Sequence, residues 1–363
     1  MTLVQDPATT EATFDERLGQ FIGRFVGDLG AAVHAPLVVL GGRLGLYDRL
    51  ANGPATSAEL AEQTGFDERY LLEWLSANAA SGYVDYDPTT TSFSMNDVQT
   101  AALADAASPE FIAGAFSIAL SMARDLDRIE HAFRTGDGIG WHEHDHALFH
   151  GIERFFRHAY QGSLVEQWLP ALDGVVAKLV AGATAADVGC GHGAATIIMA
   201  KAFPNSSFFG YDYHEESIVE ARRLAAEAGV ADRVAFAVGS AKDYPAPTDG
   251  FDLVMFFDCL HDMGDPAGAA AHVRSTLAAD GTWMIVEPYA NDRLEDNLNP
   301  VGRVYYSAST AICTPASRSE EVGLGLGAQA GEERLRQVIE QGGFSQFRRA
   351  AQTPFNLVLE ARS

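Results

Sequence analysis

The sequence predicts an α/β protein in which a mainly helical N-terminal part precedes an open, mostly parallel sheet with crossover helices. Three observations carry this. From about residue 184, short apolar runs alternate with helical stretches, the pattern of parallel strands joined by helices. The first hundred residues read as helices closed by one small hairpin. The length of 363 residues exceeds what one hydrophobic core usually organises. The boundaries are drawn at 1–100, at 101–175 for a helical connector, and at 176–363 for the sheet domain.

The chain starts "MTLVQDPATTEATFDERL", with no basic region followed by an apolar run, so no signal peptide is expected. Residues 1–13 read as a loose terminus. No uncharged apolar stretch approaches the ~20 residues that span a bilayer, so no membrane partner is expected. Cys190, Cys259 and Cys313 are too scattered for a disulfide framework or a zinc ribbon. They read as thiols in a reducing compartment, which points to the cytoplasm.

In "TSAELAEQTG" Thr56 or Ser57 caps a helix, Leu60 and Ala61 lie on its apolar side, and Gly65 stops it. "DERYLLEWLSANAASG" follows as a second helix, with Leu71, Leu72 and Leu75 on one face. "YVDYDPTTTSFSM" gives two short strands around a turn. Helix, turn, helix and a two-stranded wing make a winged helix, which raises DNA binding. Charge argues against it. Residues 1–100 hold five arginines and no lysine against fourteen acids, and the whole chain carries −24. Such a surface repels phosphate, so no nucleic-acid partner is expected and a packing or dimerisation module is.

Residues 101–180 are mostly helical and aromatic, with Phe111, Phe116, Phe133, Trp141, Phe149, Phe155, Phe156, Tyr160 and Trp168. Most should be core. Trp141 and Phe156 are candidates for a substrate pocket in a segment that bridges domains. "WHEHDHALFH" spaces His142, His146 and His150 four apart, as a metal site on a helix would. The preceding "GDGIGW" signals a loop, so His142 reads as substrate contact or polar loop, and no metal is assigned.

"AADVGCGHGAATIIMAKAF" reads as a strand ending at Val188, a glycine turn and a helix. Gly189, Gly191 and Gly193 suit a tight turn that a ligand approaches closely. The next strand, "SSFFGYD", ends in Asp212, followed by Tyr213. A carboxylate there can accept both ribose hydroxyls of a nucleoside ligand. Ala194 leaves a dinucleotide fingerprint open, but Asp187 beside the cradle suits an ammonium group and disfavours pyrophosphate. "RVAFAVGSAKDYP" brings Ser240 and Ala241 to the end of a third strand. "GFDLVMFFD" is a fourth, ending at Asp258, and "GTWMIVEPY" a fifth. "FSQFRRA" and "FNLVLEA" form a terminal pair.

"DVGCGHG" resembles motif I of the class I S-adenosylmethionine-dependent methyltransferases. The resemblance implies a Rossmann-like seven-stranded methyltransferase domain over 176–363 with an antiparallel last strand. It also implies S-adenosyl-L-methionine as cofactor, S-adenosyl-L-homocysteine as product, and Asp187 at the aminoacyl end. Where that family usually has an acid for the adenine amino group, this chain has Ser240.

Ligands of such sheets bind beyond the carboxyl ends of strands, where "FDCLHDMGDP" lies. Asp265 and Pro266 are explained as a helix cap and first turn. His261 is not. "LHDMGDP" resembles the L-H-D-W-x-D segment of plant-type and bacterial small-molecule O-methyltransferases. There the histidine takes a proton from the acceptor hydroxyl, a winged-helix domain forms a homodimer, and a helical connector follows. The resemblance points to Glu287 in "VEPY" as the group orienting His261, and to Tyr160 in "FFRHAYQGS" against the donor. A second family carboxylate falls near Gln329. The insertion after strand five brings Tyr305 and Tyr306 as candidate pocket walls, and the glycines of "GLGLGAQAG" suggest a mobile lid. The expected activity is O-methylation of a small aromatic or apolar molecule. A donor-binding transcriptional regulator and an N- or C-methyltransferase are the alternatives.

Overall fold

The computed structural model describes residues 12–105, 108, 110–145 and 147–363. The chain divides into two compact units, Met1–Ala106 and Ala107–Ser363.

The first unit begins with α1 (Phe14–Arg43). Thr13, expected within a loose terminus, instead forms a capping box: Glu16 N donates to its hydroxyl and its own N–H donates to the Glu16 carboxylate. Residues 1–11 lie outside the described residues. α2 (Leu46–Ala51), α3 (Ser57–Thr64) and α4 (Glu68–Ala80) follow, then the antiparallel pair β1 (Asp85–Asp87) and β2 (Ser92–Ser94), and α5 (Asp97–Leu103). Thr56 is the cap of α3, boxed with Glu59, and Gly65 closes it with φ +73°. α4 buries Leu71, Trp74, Leu75 and Asn78, the i, i+3, i+4, i+7 stripe. Leu72, expected on that face, is exposed because it stands one residue off the stripe. The far half of α1 is held here by Trp74 Nε1 donating to Leu37 O at 2.9 Å, and α2 by Tyr47 Oη donating to Asn78 Oδ1 at 2.7 Å.

The 30 residues of α1 are long and apolar enough to cross a bilayer by length and composition alone, with Arg24 and Asp28 interrupting the apolar sequence. Phe14, Leu18, Phe21, Phe25, Leu29 and Val33 recur at helical spacing and are exposed.

The second unit opens with α6 (Ala115–Arg124), α7 (Leu126–Thr135) and α8 (Ala147–Ser163), and a π-helical turn, Leu164–Trp168, extends α8. After α9 (Val175–Ala181) come β3 (Thr184–Val188), α10 (Ala194–Ala202), β4 (Ser207–Asp212), α11 (Glu215–Glu227), β5 (Val234–Val238), β6 (Phe251–Phe257), α12 (Pro266–Thr276) and β7 (Leu277–Pro288). α13 (Pro300–Ala308), a π turn at Ser309–Cys313, α14 (Thr314–Ser319), α15 (Gly331–Gln341), β8 (Gln346–Gln352) and β9 (Asn356–Arg362) complete it. The sheet order is β5-β4-β3-β6-β7-β9-β8. The pairs from β5 through β7 are parallel, while β9 runs antiparallel to β7 and β8.

Both faces of the central strands are buried, which is why they read as continuous apolar runs. Ala185, Leu253, Met255, Met284 and Val286 pack against Leu164, Trp168 and Met199. Ala186, Val254, Phe256, Trp283 and Ile285 pack on the other side against Val273, Leu335 and Ile339. Tyr160 and Leu164 belong to the first of these cores, so the end of the connector is anchored in the sheet unit.

Candidate functional site

The carboxyl ends of β3, β4 and β6 carry the first half of the site. Gly189, Gly191 and Gly193 all have positive φ, at 76°, 50° and 76°. A Cβ on Gly193 would stand 2.5 Å from the Phe236 ring, so this glycine is required by space as well as by backbone. The loop spends its own donors. Gly189 N and Cys190 N donate to Tyr211 O, and Gly193 N donates to Cys190 O. Gly191 N donates to Asp212 Oδ2 at 2.9 Å, and His214 N to Asp212 Oδ1 at 2.9 Å. Donors used this way offer no nest for a pyrophosphate, and the carboxylates around them oppose one.

Asp187 is buried and accepts from Thr196 Oγ1 at 2.6 Å. Burial pushes its carboxyl up to about 7, with the Thr196 bond pulling the other way. Burial also raises Asp212. Tyr213 follows at the rim, partly exposed, and Tyr160 lies buried with its ring 5.1 Å from that of Phe257. Ser240 and Ala241 sit half-buried after β5. There the sequence reading missed a group. Asp243 folds back so that its Oδ1 accepts from both the N–H and the hydroxyl of Ser240, at 2.8 and 2.9 Å. A carboxylate thus stands beside residue 240 although a serine occupies it. Its signal was an Asp three residues on, the spacing of a local Asp turn.

The second half is built on the turn after β6. That strand ends at Phe257, one residue earlier than expected. Asp258 turns the chain with φ +50°, a conformation Asp and Asn tolerate best among non-glycine residues. Its Oδ1 accepts from Asn356 Nδ2 at 3.2 Å, and Oδ2 is buried without a hydrogen-bond partner. Burial, with Glu287 adding, raises this carboxyl well above the usual range.

A 3₁₀ turn over Leu260–Asp262 then presents His261, which is buried. Its Nδ1 meets Glu287 Oε2 at 2.6 Å, and Glu287 Oε1 accepts from Leu260 N at 3.0 Å. Both oxygens of Glu287 are therefore engaged by this turn, and the ring is fixed. The neighbouring Asp262 stands with Oδ1 3.1 Å from Nε2. Burial of the ring opposes its charge, but Asp262 and Glu287 outweigh burial and hold the imidazole well above its ordinary pKa.

The long insertion, expected as a lid, is bonded to this turn. Ser317 Oγ donates to Met263 O at 2.7 Å, Leu324 N to Gly264 O at 3.0 Å, and Gly327 N to His261 O at 3.3 Å. Gln329 Nε2 donates to Tyr289 O, so an amide fills the position where a second carboxylate falls in the resembled family.

The expected acceptor contacts divide. Tyr305 lies near this pocket, its hydroxyl donating to Phe355 O at 2.7 Å, and burial and then Asp258 raise its pKa. Tyr306 is half-buried one residue on in α13. Phe156 stacks on Tyr160 at 6.1 Å and packs against the core of the sheet unit. Trp141 packs against Leu148, Ala311 and Ile312. His142 is exposed, while His144 is buried against Asp125 at 2.9 Å. His146 and the His150 side chain lie outside the described residues.

Comparison with known proteins agrees with this architecture. Residues 179–343 match the family described as a methyltransferase domain, and residues 32–105 match the Rv2258c-like winged HTH domain. The mitomycin biosynthesis 6-O-methyltransferase of Streptomyces lavendulae is 27% identical over 262 residues, covering 69% of this chain and 72% of that protein. The structure of mitomycin 7-O-methyltransferase superposes with a TM-score of 0.65 at 23% identity, over 96% of this chain and 99% of that one. Human N-acetylserotonin methyltransferase in complex with SAM gives 0.67 at 17% identity, over 97% and 99%. Fold and domain content define a methyltransferase unit that follows a winged HTH domain in the chain, with a fold shared by solved O-methyltransferase structures. The chain carries a methyltransferase domain after a winged HTH domain and is an enzyme of the S-adenosylmethionine-dependent methyltransferase type.

Proposed function

We propose that this enzyme methylates a hydroxyl oxygen of a small aromatic or apolar molecule, with His261 as general base. The observation that carries the reading is the His261–Glu287 pair at 2.6 Å on the rim that also bears the glycine loop. Glu287 holds the Nδ1 proton, so Nε2 is the nitrogen that faces an acceptor. A phenol of pKa ~10 is a poor nucleophile near neutrality, and a base within hydrogen-bond reach contributes roughly 10²–10⁴-fold. The acceptor's hydroxyl proton would pass to Nε2, and the imidazolium formed is stabilised by Glu287. Asp262 must swing from Nε2 for the acceptor to enter.

The glycine cradle, open around Gly191, and its carboxylate surroundings fit S-adenosylmethionine. When bound, that cofactor supplies a methyl group on a cationic sulfur. Asp187 is assigned to the aminoacyl end, Gly189, Gly191 and Gly193 to close approach, and Asp212 with Tyr213 to the ribose. Ser240 and Ala241, with Asp243, are assigned to the adenine, and Tyr160 and Asp258 to the inner wall. Trp141, His142, Phe156, Tyr305 and Tyr306 are assigned to the acceptor side.

We further propose a cytoplasmic homodimer. Free thiols at Cys190, Cys259 and Cys313 support a reducing compartment. The exposed apolar stripe of α1 supports a second copy as its cover, since Arg24 and Asp28 within the helix oppose a lipid setting. The acidic winged helix supports no nucleic-acid role.

The test is His261→Ala. Donor at 100 times its dissociation constant should still stabilise the variant by about 2.7 kcal/mol. Turnover should fall roughly 10²–10⁴-fold. A variant that binds donor and turns over unchanged removes His261 from the mechanism.

A further inference from the structure

We propose that His261, Asp262 and Cys313 form a binding site for a thiophilic divalent cation of the zinc type, and that its occupancy switches the enzyme off. The second part rests on His261 being the base; the first does not.

One ligand atom from each of these three residues lies within 4.8 Å of the other two. Tetrahedral zinc with nitrogen and oxygen at ~2.0–2.2 Å and sulfur at ~2.3 Å separates neighbouring ligands by about 3.4–3.6 Å, so small side-chain adjustments complete the set. The Nε2–Oδ1 distance is already 3.1 Å. Imidazole, carboxylate and thiolate together suit zinc, whereas magnesium and calcium want oxygens alone.

Two independent observations point the same way. Glu287 Oε2 accepts at Nδ1, 2.6 Å away, the partnership metal-ligating histidines keep, and Nε2 is the nitrogen turned toward Asp262 and Cys313. Asp262 Oδ1 is buried and pairs with Nε2 at 3.1 Å, so a carboxylate oxygen already stands beside the ring nitrogen that would ligate. Cys313 arrives from the π turn Ser309–Cys313, and the Asp262 side chain, 20% exposed, marks the way in from solvent.

Binding exchanges the thiol proton and the Nε2 proton for bonds to the metal, and both protons leave to solvent. Coordination consumes the lone pair that the acceptor's proton requires. The metal thus acts as an inhibitor that competes with the acceptor and leaves the donor cradle untouched.

The experiment uses the full chain, freed of metal. Titration with cobalt(II) should give a thiolate-to-cobalt charge-transfer band that Cys313→Ala lacks. Equilibrium dialysis should retain one zinc per chain, and Cys313→Ala and Asp262→Asn should each weaken it at least tenfold. Zinc should inhibit methyl transfer reversibly on chelation, and Cys313→Ala should raise the half-inhibitory concentration at least tenfold, scored against its own metal-free rate. Absence of the band and of retained zinc would overturn the site while leaving the base assignment standing. Stoichiometric zinc with undiminished turnover would overturn the switch and the role of Nε2 as base together. A rate that rises with zinc would also overturn the switch.

Discussion

Replacing Asp187 by Asn separates the cost of a buried carboxylate from its use. Asp187 is 2% exposed and ionises near 7 in the folded protein instead of 3.8. Between those values the folded chain holds a proton that the unfolded chain has released, so stability falls as pH rises from about 4 to about 7. The cost accumulated from pH 5 to pH 8 spans two of these units, about 3 kcal/mol at 1.36 kcal/mol each. Asn carries no such term. It leaves an amide donor buried, a cost of roughly 1–3 kcal/mol that does not change with pH. The variant should therefore gain on wild type by about 3 kcal/mol between pH 5 and pH 8 in urea unfolding of the ligand-free protein. Donor binding should behave oppositely. If the ionised carboxylate holds the donor's ammonium, wild-type affinity should rise roughly 30-fold from pH 5.5 to pH 8 and then level off. Asp187→Asn should bind weakly and without that dependence, measured by calorimetry. A wild-type affinity flat in pH, matched by the variant, would refute both the protonation and the assigned contact.

Other outcomes follow from the same geometry. The carboxylates beside His261 stabilise its charged form, so their contribution to folding is full below about pH 6.5 and is lost as pH rises through the raised folded value. The base is competent only above that value, and kcat should climb with pH beyond 6.5. Glu287→Gln should move the climb to lower pH and cut the plateau roughly 10²-fold or more, because the ring loses the partner fixing its tautomer. A profile identical to wild type would dissociate the pair. Gly193→Ala places a methyl 2.5 Å from Phe236 at a φ of 76°, and should abolish the donor-induced thermal shift. Retention of that shift would show a looser cradle than the structure has. Phe21→Glu with Phe25→Glu, on the exposed stripe of α1, should give a monomer in sedimentation velocity; a monomeric wild type would sink the dimer reading instead.

Local chemistry was legible before any fold was known. Asp265 with Pro266 starts a helix, Thr56 and Gly65 bracket one, and strand, glycine turn and helix are consecutive in "AADVGCGHGAA". Each depends on backbone groups within a few residues, so the sequence carries it. Alternation of apolar runs with helical stretches likewise predicted a parallel sheet, because burial on both faces leaves its mark residue by residue. Other features depended on packing. Leu72 looked as buried as Leu71 until helix phase separated them. The contacts of Ser317, Leu324 and Gly327 with the His261 turn join segments more than fifty residues apart.

The candidate site shows the same division. His261 was singled out because nothing in helix chemistry required it, and Glu287 came from resemblance rather than from spacing. The 2.6 Å contact between them joins the turn after one strand to the end of the next. Asp262 at Nε2, Cys313 beside both, and Asp243 folded under Ser240 have no pattern in the sequence that distinguishes them from ordinary loop residues. Sequence alone determined which elements form and where the ligand-bearing rim lies, since those follow from periodicity and turn chemistry. Only the tertiary structure decided which charges meet, because side-chain contacts across strand ends and insertions depend on distances that chain order does not encode.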